Sequence, residues 1–316
     1  MSEHAICALC GEHELFTVYC QAQTYQVLKC NACEFIFIPQ SYRKAVNYTD
    51  YKSEAVTAAV KAGNNWLKIQ RHKLRIKQIK RYKPGGTLFD LGSGWGHFLK
   101  TAQTSGYTVS GVELSEEPYV YSVKYLNLPV QRADFFQLNF LNQFDVITLW
   151  DVLEHIDRPV PFVVKCNHAL KPNGLLVIQV PQIDSFIARK KKCNWNMMGL
   201  DHVNYFSRKT LSNLLSANGF EVLEMRSSWE VKLFIMYTLL HLIKRFKVHS
   251  KQKPSIREVD QNISAAERQH FFNRITRFPK PVLWMLIQIH NLVYGLLSRL
   301  NIGEELVIIA QKRTSV

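Results

Sequence analysis

The sequence predicts an α/β protein: a doubly wound, mostly parallel sheet, preceded by an N-terminal zinc ribbon and interrupted by a helical insertion between its last two strands. From residue 86 onward, the short apolar runs "TLFDL", "YTVSGVEL", "FDVITLW" and "GLLVIQV" alternate with helix-like stretches. That alternation reads as βα repeats, whose crossovers place helices on both faces of a sheet. Two C-x-x-C pairs lie ahead of the repeats, and residues 229–303 separate the strand-like "FEVLEMRSS" from "EELVIIAQK". With 316 residues, 47% of them hydrophobic, the chain is long enough to bury a sizeable core.

The ribbon comes first, over residues 1–40. Cys7 and Cys10 form one pair, and Cys30 and Cys33 the other after nineteen intervening residues. Two thiolate pairs on tight turns close a tetrahedral Zn²⁺ site, and four sulfur ligands leave no open position for catalysis, so the metal expected is structural. Cys20, Cys166 and Cys193 read as small buried apolar residues. The opening "MSEHAICALCGEHE" lacks the basic-then-apolar plan of a secretion signal. Its cysteines suit a reducing compartment, so a cytoplasmic protein is expected.

Residues 41–83 read as a basic helical linker. Trp66, Leu67, Ile69, Leu74, Ile76 and Ile79 recur near helical spacing with basic residues between them, and Pro84-Gly85-Gly86 stops the helix. Such a helix either covers the sheet edge with a solvated outer face or serves as an RNA-binding arm.

The repeats carry polar residues where the strands end, which is where open α/β sheets bind their ligands. The first strand runs through Asp90 into a loop with Gly92, Gly94 and Gly96, where main-chain amides can approach a small molecule closely. His97 stands where a dinucleotide fingerprint wants another glycine, and no Gly-Lys-Ser/Thr of a P-loop follows. His97 is expected to pack at the start of the next helix. The second strand ends at Glu113, an acid placed to accept hydrogen bonds from a ribose diol. Ser115 is the expected N-cap, with Pro118 in the first turn. Asp134 follows a short third strand, and the fourth ends in "WDVLEHI", which crowds Asp151, Glu154 and His155 into one turn. Glu154 and His155 could share a divalent metal, although the sequence displays no complete ligand set. "LKPNG" at 170–174 marks a helix stop before the fifth strand.

The succession "FDLGSGWGHFL", "GVELS", "RADF", "FDVITLWDVLEHI" and "LKPNGLLVIQVP", followed by "HVNYFSRKTLSNLLSANGF", resembles the class I S-adenosylmethionine-dependent methyltransferases in their methyltransferase-23-like form. The resemblance implies a Rossmann-like domain over 84–228 plus 304–316. It implies that Asp90 and the loop of Gly92, Ser93, Gly94 and Gly96 hold the methionyl end of the cofactor. Glu113 would take the ribose hydroxyls and Asp134 the adenine amine, with Leu114 and Phe135 in the same cofactor-binding set. Trp150 and Asp151 would border the methyl donor.

Methyl transfer to a hydroxyl needs a base, and a histidine is the natural one near neutral pH. His155, His202 and Tyr205 are the candidate catalytic residues, each histidine having the alternative of bonding the loop backbone. The insertion over 229–303 departs from the family, whose last two strands usually form a compact pair. It holds eleven uncharged residues before Lys244 and eighteen between Lys280 and Arg299. Such stretches fit an interfacial hairpin on an anionic membrane, or a helical cap or dimer interface on the sheet. The balance of 40 basic against 25 acidic residues gives a net charge of +15, which favours anionic partners and a peripheral position on the inner face of the membrane. By resemblance to zinc-ribbon methyltransferases of sugar pathways, the acceptor expected is a sugar or lipid-linked glycan intermediate of surface-polysaccharide or secondary-metabolite biosynthesis. RNA, a quinone precursor and a non-catalytic cofactor-binding scaffold are the alternatives.

Overall fold

The computed structural model describes residues 5–43, 66–228 and 303–314, together with Met285 and Gln288. The expected interfacial hairpin therefore lies outside the described residues, apart from those two positions. Among the described residues, no helix is long and apolar enough to cross a membrane.

Seven strands form the main sheet: β4 (Gly86–Leu91), β5 (Tyr107–Val112), β6 (Val130–Gln131), β7 (Phe144–Trp150), β8 (Leu170–Pro181), β10 (Phe220–Ser228) and β11 (Glu305–Lys312), in the order β10-β11-β8-β7-β4-β5-β6. β4, β5, β6, β7 and β8 pair in parallel, whereas β11 runs antiparallel to both β8 and β10. Order reverses beside β4, the first strand of the sheet in sequence, and the crevice above such a switch point is where ligands collect.

The period-two alternation of each strand divides the core into two layers. Phe89, Leu91, Ile147, Leu149, Leu176, Ile178, Leu306 and Ile308 face one way, against α4 (Pro159–Ala169) and α6 (Arg208–Ala217). Leu88, Val146, Leu175, Val177 and Ile309 face the other, where α1 (Trp66–Lys80) and α2 (His97–Thr104) supply Ile76, Ile79, Phe98 and Leu99. The basic helix α1 thus packs on a face of the sheet rather than along its edge. α3 (Glu116–Lys124) starts after Ser115 as expected, and α4 stops at Ala169.

A second, four-stranded sheet builds the N-terminal region, with β1 (Phe16–Gln21), β2 (Gln26–Cys30), β3 (Ile36–Phe37) and β9 (Asn204–Tyr205) in the order β1-β2-β3-β9. β9 comes from the other end of the main domain, with Ile36 opposite Tyr205 and Phe37 opposite Asn204. The ribbon is therefore sewn into the main domain by main-chain pairing. Cys20 and Cys193 correct the sequence reading, because the two form a disulfide between β1 and the turn after α5 (Phe186–Lys191). Hairpin register and ribbon docking bring together two residues 173 apart in sequence, which spacing alone could not pair. Cys166 is buried as a free thiol in α4, as expected.

Candidate cofactor and acceptor site

The loop after β4 uses its three glycines in two ways. Gly92 and Gly96 have φ of 66° and 72°, and a Cβ there would lie 2.8 Å from Val152 and 2.7 Å from Leu128. Those two glycines allow the loop to pack. Gly94, with φ of 52°, would point a Cβ into open space. Its amide instead donates to Glu113 Oε2 at 2.7 Å, while the amide of Ser115 donates to Oε1 at 2.8 Å. Glu113 thus ties the first loop to the end of β5.

Asp90 lies beneath this loop with only 1% of its surface exposed, accepting from Thr148 Oγ1 at 2.5 Å. Burial pushes its carboxyl up to about 7, against the opposing pull of the Thr148 hydrogen bond and of Arg75, while the charge of Glu113 adds to the rise. Asp134 accepts from the amide of Phe136 at 2.9 Å and caps a short 3₁₀ turn. Leu114 is exposed, but Phe135 turns into the core against Phe89 and Phe162. Ser93 Oγ and Trp150 Nε1 are buried and have no hydrogen-bond partner among the described residues.

Sequence reasoning missed a network from α1. Arg75 is buried with its guanidinium 3.9 Å from the Trp150 ring centroid, and it donates to Gln179 Oε1 at 2.6 Å. Gln179 Nε2 in turn donates to both Asp151 oxygens, at 2.9 and 3.1 Å, and Arg71 stands 3.6 Å from the same carboxylate. Burial and neighbouring Arg71 push Arg75 down to about 9, countered by Asp151, Glu305 and Asp90. Asp151 adopts φ of 59°, a left-handed conformation that aspartate, like asparagine, tolerates better than most residues other than glycine. One signal was available: Arg71 and Arg75 lie four residues apart, on one helical face.

At the end of β7, the turn Leu153–His155 meets the segment leading into β9. The amide of Val203 donates to the Glu154 carbonyl at 2.9 Å, and the amide of Ile38 in the ribbon donates to the Val203 carbonyl at 3.0 Å. Asn204 Nδ2 donates to the Ile156 carbonyl at 2.6 Å. These bonds bring His155 and His202 together, with ring centroids 4.8 Å apart. Each Nδ1 faces a backbone carbonyl, that of Asp201 at 2.6 Å and that of Met197 at 2.8 Å. A carbonyl only accepts, so each Nδ1 carries the hydrogen, and in the neutral ring Nε2 holds the lone pair. Burial, then His202, keeps His155 below the usual imidazole range.

Tyr205 departs from its expected place beside the acceptor. It is fully buried, its hydroxyl donating to the Gly199 carbonyl at 3.0 Å and accepting from the Gly199 amide at 3.1 Å. Pairing of β9 with β3 turns the ring inward, where it braces the loop carrying His202. Its phenol is pushed above the usual range by that burial.

In the ribbon, the amide of Gly11 donates to the Cys7 carbonyl and that of Glu34 to the Cys30 carbonyl, at 2.9 and 2.8 Å. Gly11 and Glu34 both have positive φ, so the two C-x-x-C turns share one shape. The Cys7 and Cys33 sulfurs are 3.5 Å apart, those of Cys10 and Cys30 3.6 Å, and all four lie within 4.8 Å of one another. A tetrahedron with Zn–S bonds of about 2.3 Å has edges of about 3.8 Å, so the four sulfurs are spaced to hold zinc.

Comparison with known proteins agrees with this geometry. Residues 67–225, just over half of the chain, match the family described as methyltransferase domain. The ubiquinone biosynthesis O-methyltransferase of Thiobacillus denitrificans is 30% identical over 110 residues, covering 32% of this chain and 47% of the relative. That of Actinobacillus pleuropneumoniae is 28% identical over 103 residues, covering 29% and 44%. The chain thus spans about half the length of the curated relatives it matches. A structure of the Haloferax volcanii Trm112 methyltransferase activator in complex with a putative methyltransferase superimposes with a TM-score of 0.50 at 13% identity, covering 83% of this chain and 96% of that one. With the strand order, the glycine loop and the acids at successive strand ends, the match over 67–225 places the chain in the methyltransferase-domain family, among the class I S-adenosylmethionine-dependent methyltransferases.

Proposed function

We propose that the protein transfers a methyl group from S-adenosylmethionine to a hydroxyl of a small-molecule acceptor. The observation that carries this reading is the convergence of Asp90, Glu113 and the open Gly94 position at the switch point of the sheet. When bound, S-adenosylmethionine supplies an electrophilic methyl group on a sulfonium. Asp90, with the loop of Gly92, Ser93, Gly94 and Gly96, holds the methionyl end, and buried Ser93 Oγ suits a ligand that brings its own polar atoms. Glu113 takes the ribose hydroxyls through the lone pairs its two backbone contacts leave. Asp134 takes the adenine amine, Leu114 offers the apolar shelf, and Trp150 and Asp151 border the reacting end.

His155 and His202 stand on the acceptor side. With hydrogen on Nδ1, each presents an Nε2 lone pair able to take a proton or a cation. The O-methyltransferase relatives favour a hydroxyl acceptor, and their place in ubiquinone biosynthesis supports a quinone-precursor hydroxyl over the sugar expected from the sequence. Four cysteines hold a structural zinc in the ribbon, which anchors β3 and through it β9.

Calorimetry with S-adenosylmethionine tests the cofactor site: binding is expected for the native protein, and loss of about tenfold or more in affinity for Asp90→Ala and Glu113→Ala, each of which removes charge-assisted hydrogen bonds. Labelled cofactor offered with catechol-type quinone precursors, nucleotide sugars and total RNA then identifies the acceptor. Native protein that ignores the cofactor refutes the reading; label in RNA refutes the small-molecule acceptor.

A further inference from the structure

Glu154 is the most anomalous side chain among the described residues. Its carboxyl is completely buried, and neither oxygen has a hydrogen-bond partner among the described residues. A buried carboxyl without partners bears the full desolvation cost of its polar atoms, and native proteins rarely leave one so unless something else occupies the site. Its surroundings make the arrangement more costly still, since Asp151, Glu305 and Asp201 all bring negative charge to bear on it. A carboxyl in such a field calls for a cation.

The two histidines complete a ligand set. Glu154 Oε1 lies 4.0 Å from His155 Nε2, and one ligand atom each from Glu154, His155 and His202 lies within 4.8 Å of the others. That spacing is wider than a direct hydrogen bond, and an ion bound at about 2.0–2.2 Å would draw the three ligand atoms to about 3.4 Å from one another, a closure of up to about 1.4 Å. Both imidazoles donate Nδ1–H to backbone carbonyls, the outer contact that ordinarily fixes a metal-binding histidine in its Nε2-ligating tautomer. Their side chains are 21% and 16% exposed, so an ion can enter from solvent while Glu154 closes the inner side. Asp201 Oδ2, 3.8 Å from His202 Nε2, adds charge at the rim.

We propose that Glu154, His155 and His202 form a divalent transition-metal site, two imidazole nitrogens and one carboxylate, that holds an oxygen of the acceptor. Nitrogen-rich, sulfur-free ligation of this kind suits Zn²⁺, Mn²⁺, Fe²⁺ or Co²⁺ rather than Mg²⁺. Three protein ligands leave positions for outside oxygens, which is the pattern of catalytic rather than structural sites. A hydroxyl bound there loses its proton to water more readily: the O–H bond breaks, its electron pair stays on the oxygen, and the cation stabilises the resulting anion. The site thereby selects acceptors with a hydroxyl flanked by a second oxygen able to chelate. This role for the metal rests on the methyltransferase reading, but the binding of the ion does not.

The full chain, its four-cysteine site first loaded with zinc, is titrated with Co²⁺ alone. Zinc holds thiolates more tightly than cobalt does, so cobalt is left to the second site. The expected result is a weak visible d–d band, without intense thiolate charge transfer, saturating at one equivalent. Glu154→Gln and His202→Asn should each weaken cobalt binding by about tenfold or more, while calorimetry with S-adenosylmethionine shows that each variant keeps its fold. Native protein without the band, or a band undiminished in either variant that still binds cofactor, overturns the proposal. Cobalt bound by a protein that ignores S-adenosylmethionine would sustain the metal site and sink the methyltransferase reading instead.

Discussion

On the proposed reading of the site, Asp90 converts burial into cofactor selection. In the free protein its carboxyl sits near 7, so much of it is neutral below that pH. A cofactor ammonium prefers the carboxylate, and binding must therefore expel a proton in acid solution. The expected outcome is an affinity for S-adenosylmethionine that rises about tenfold per pH unit below 7 and flattens above it. Asp90→Asn should abolish the slope; a slope that persists in this variant would assign the proton to another group. The acids themselves were legible in the sequence, because an acid at a strand end followed by a glycine loop announces a ligand. Arg75 and Glu154 were less so. A charged residue in an amphipathic helix looks solvated until the helix is docked, and only packing reveals that Arg75 lies over Trp150 and that the Glu154 carboxyl is enclosed.

At the scale of elements, β9 carries the most consequence for its size. Two residues long, it belongs to the ribbon sheet, yet the segment entering it supports the turn that bears Glu154 and His155. Loosening the ribbon should therefore disturb the histidine pair. Cys10→Ser, a change at an exposed member of the four-cysteine cluster, is expected to speed hydrogen exchange in peptides covering 36–38 and 200–206 while leaving β7 protected. Unchanged exchange in both peptides would mean that β9 holds without the ribbon. Periodicity displayed the long strands and α1 clearly, since their apolar positions repeat. β3 and β9 have no periodicity to display, being two residues each, and their pairing over 167 positions in sequence is a product of docking alone.

Across the whole molecule, the Cys20–Cys193 bond joins ribbon and main domain a second time. Cross-links that close long loops restrict the unfolded chain, typically by about 2–4 kcal/mol. Cys193→Ser should therefore melt at a lower temperature than the native protein without reductant, and the difference should vanish when dithiothreitol is present. Equal melting without reductant would show that the ribbon is already fixed by its strand pairing and cysteine cluster. No spacing rule identified this pair, because the sequence offers seven cysteines and only the folded ribbon places Cys20 beside Cys193.

The position of β11 dictates when this protein can be finished. It lies between β8 and β10, yet it is made after both, once residues 229–304 have been synthesised. During translation β8 keeps an open edge, and β10, whose partner among the described residues is β11, stays unpaired in the sheet until β11 emerges. A nascent chain stalled before that point would expose the strand edge most prone to sticking to other chains.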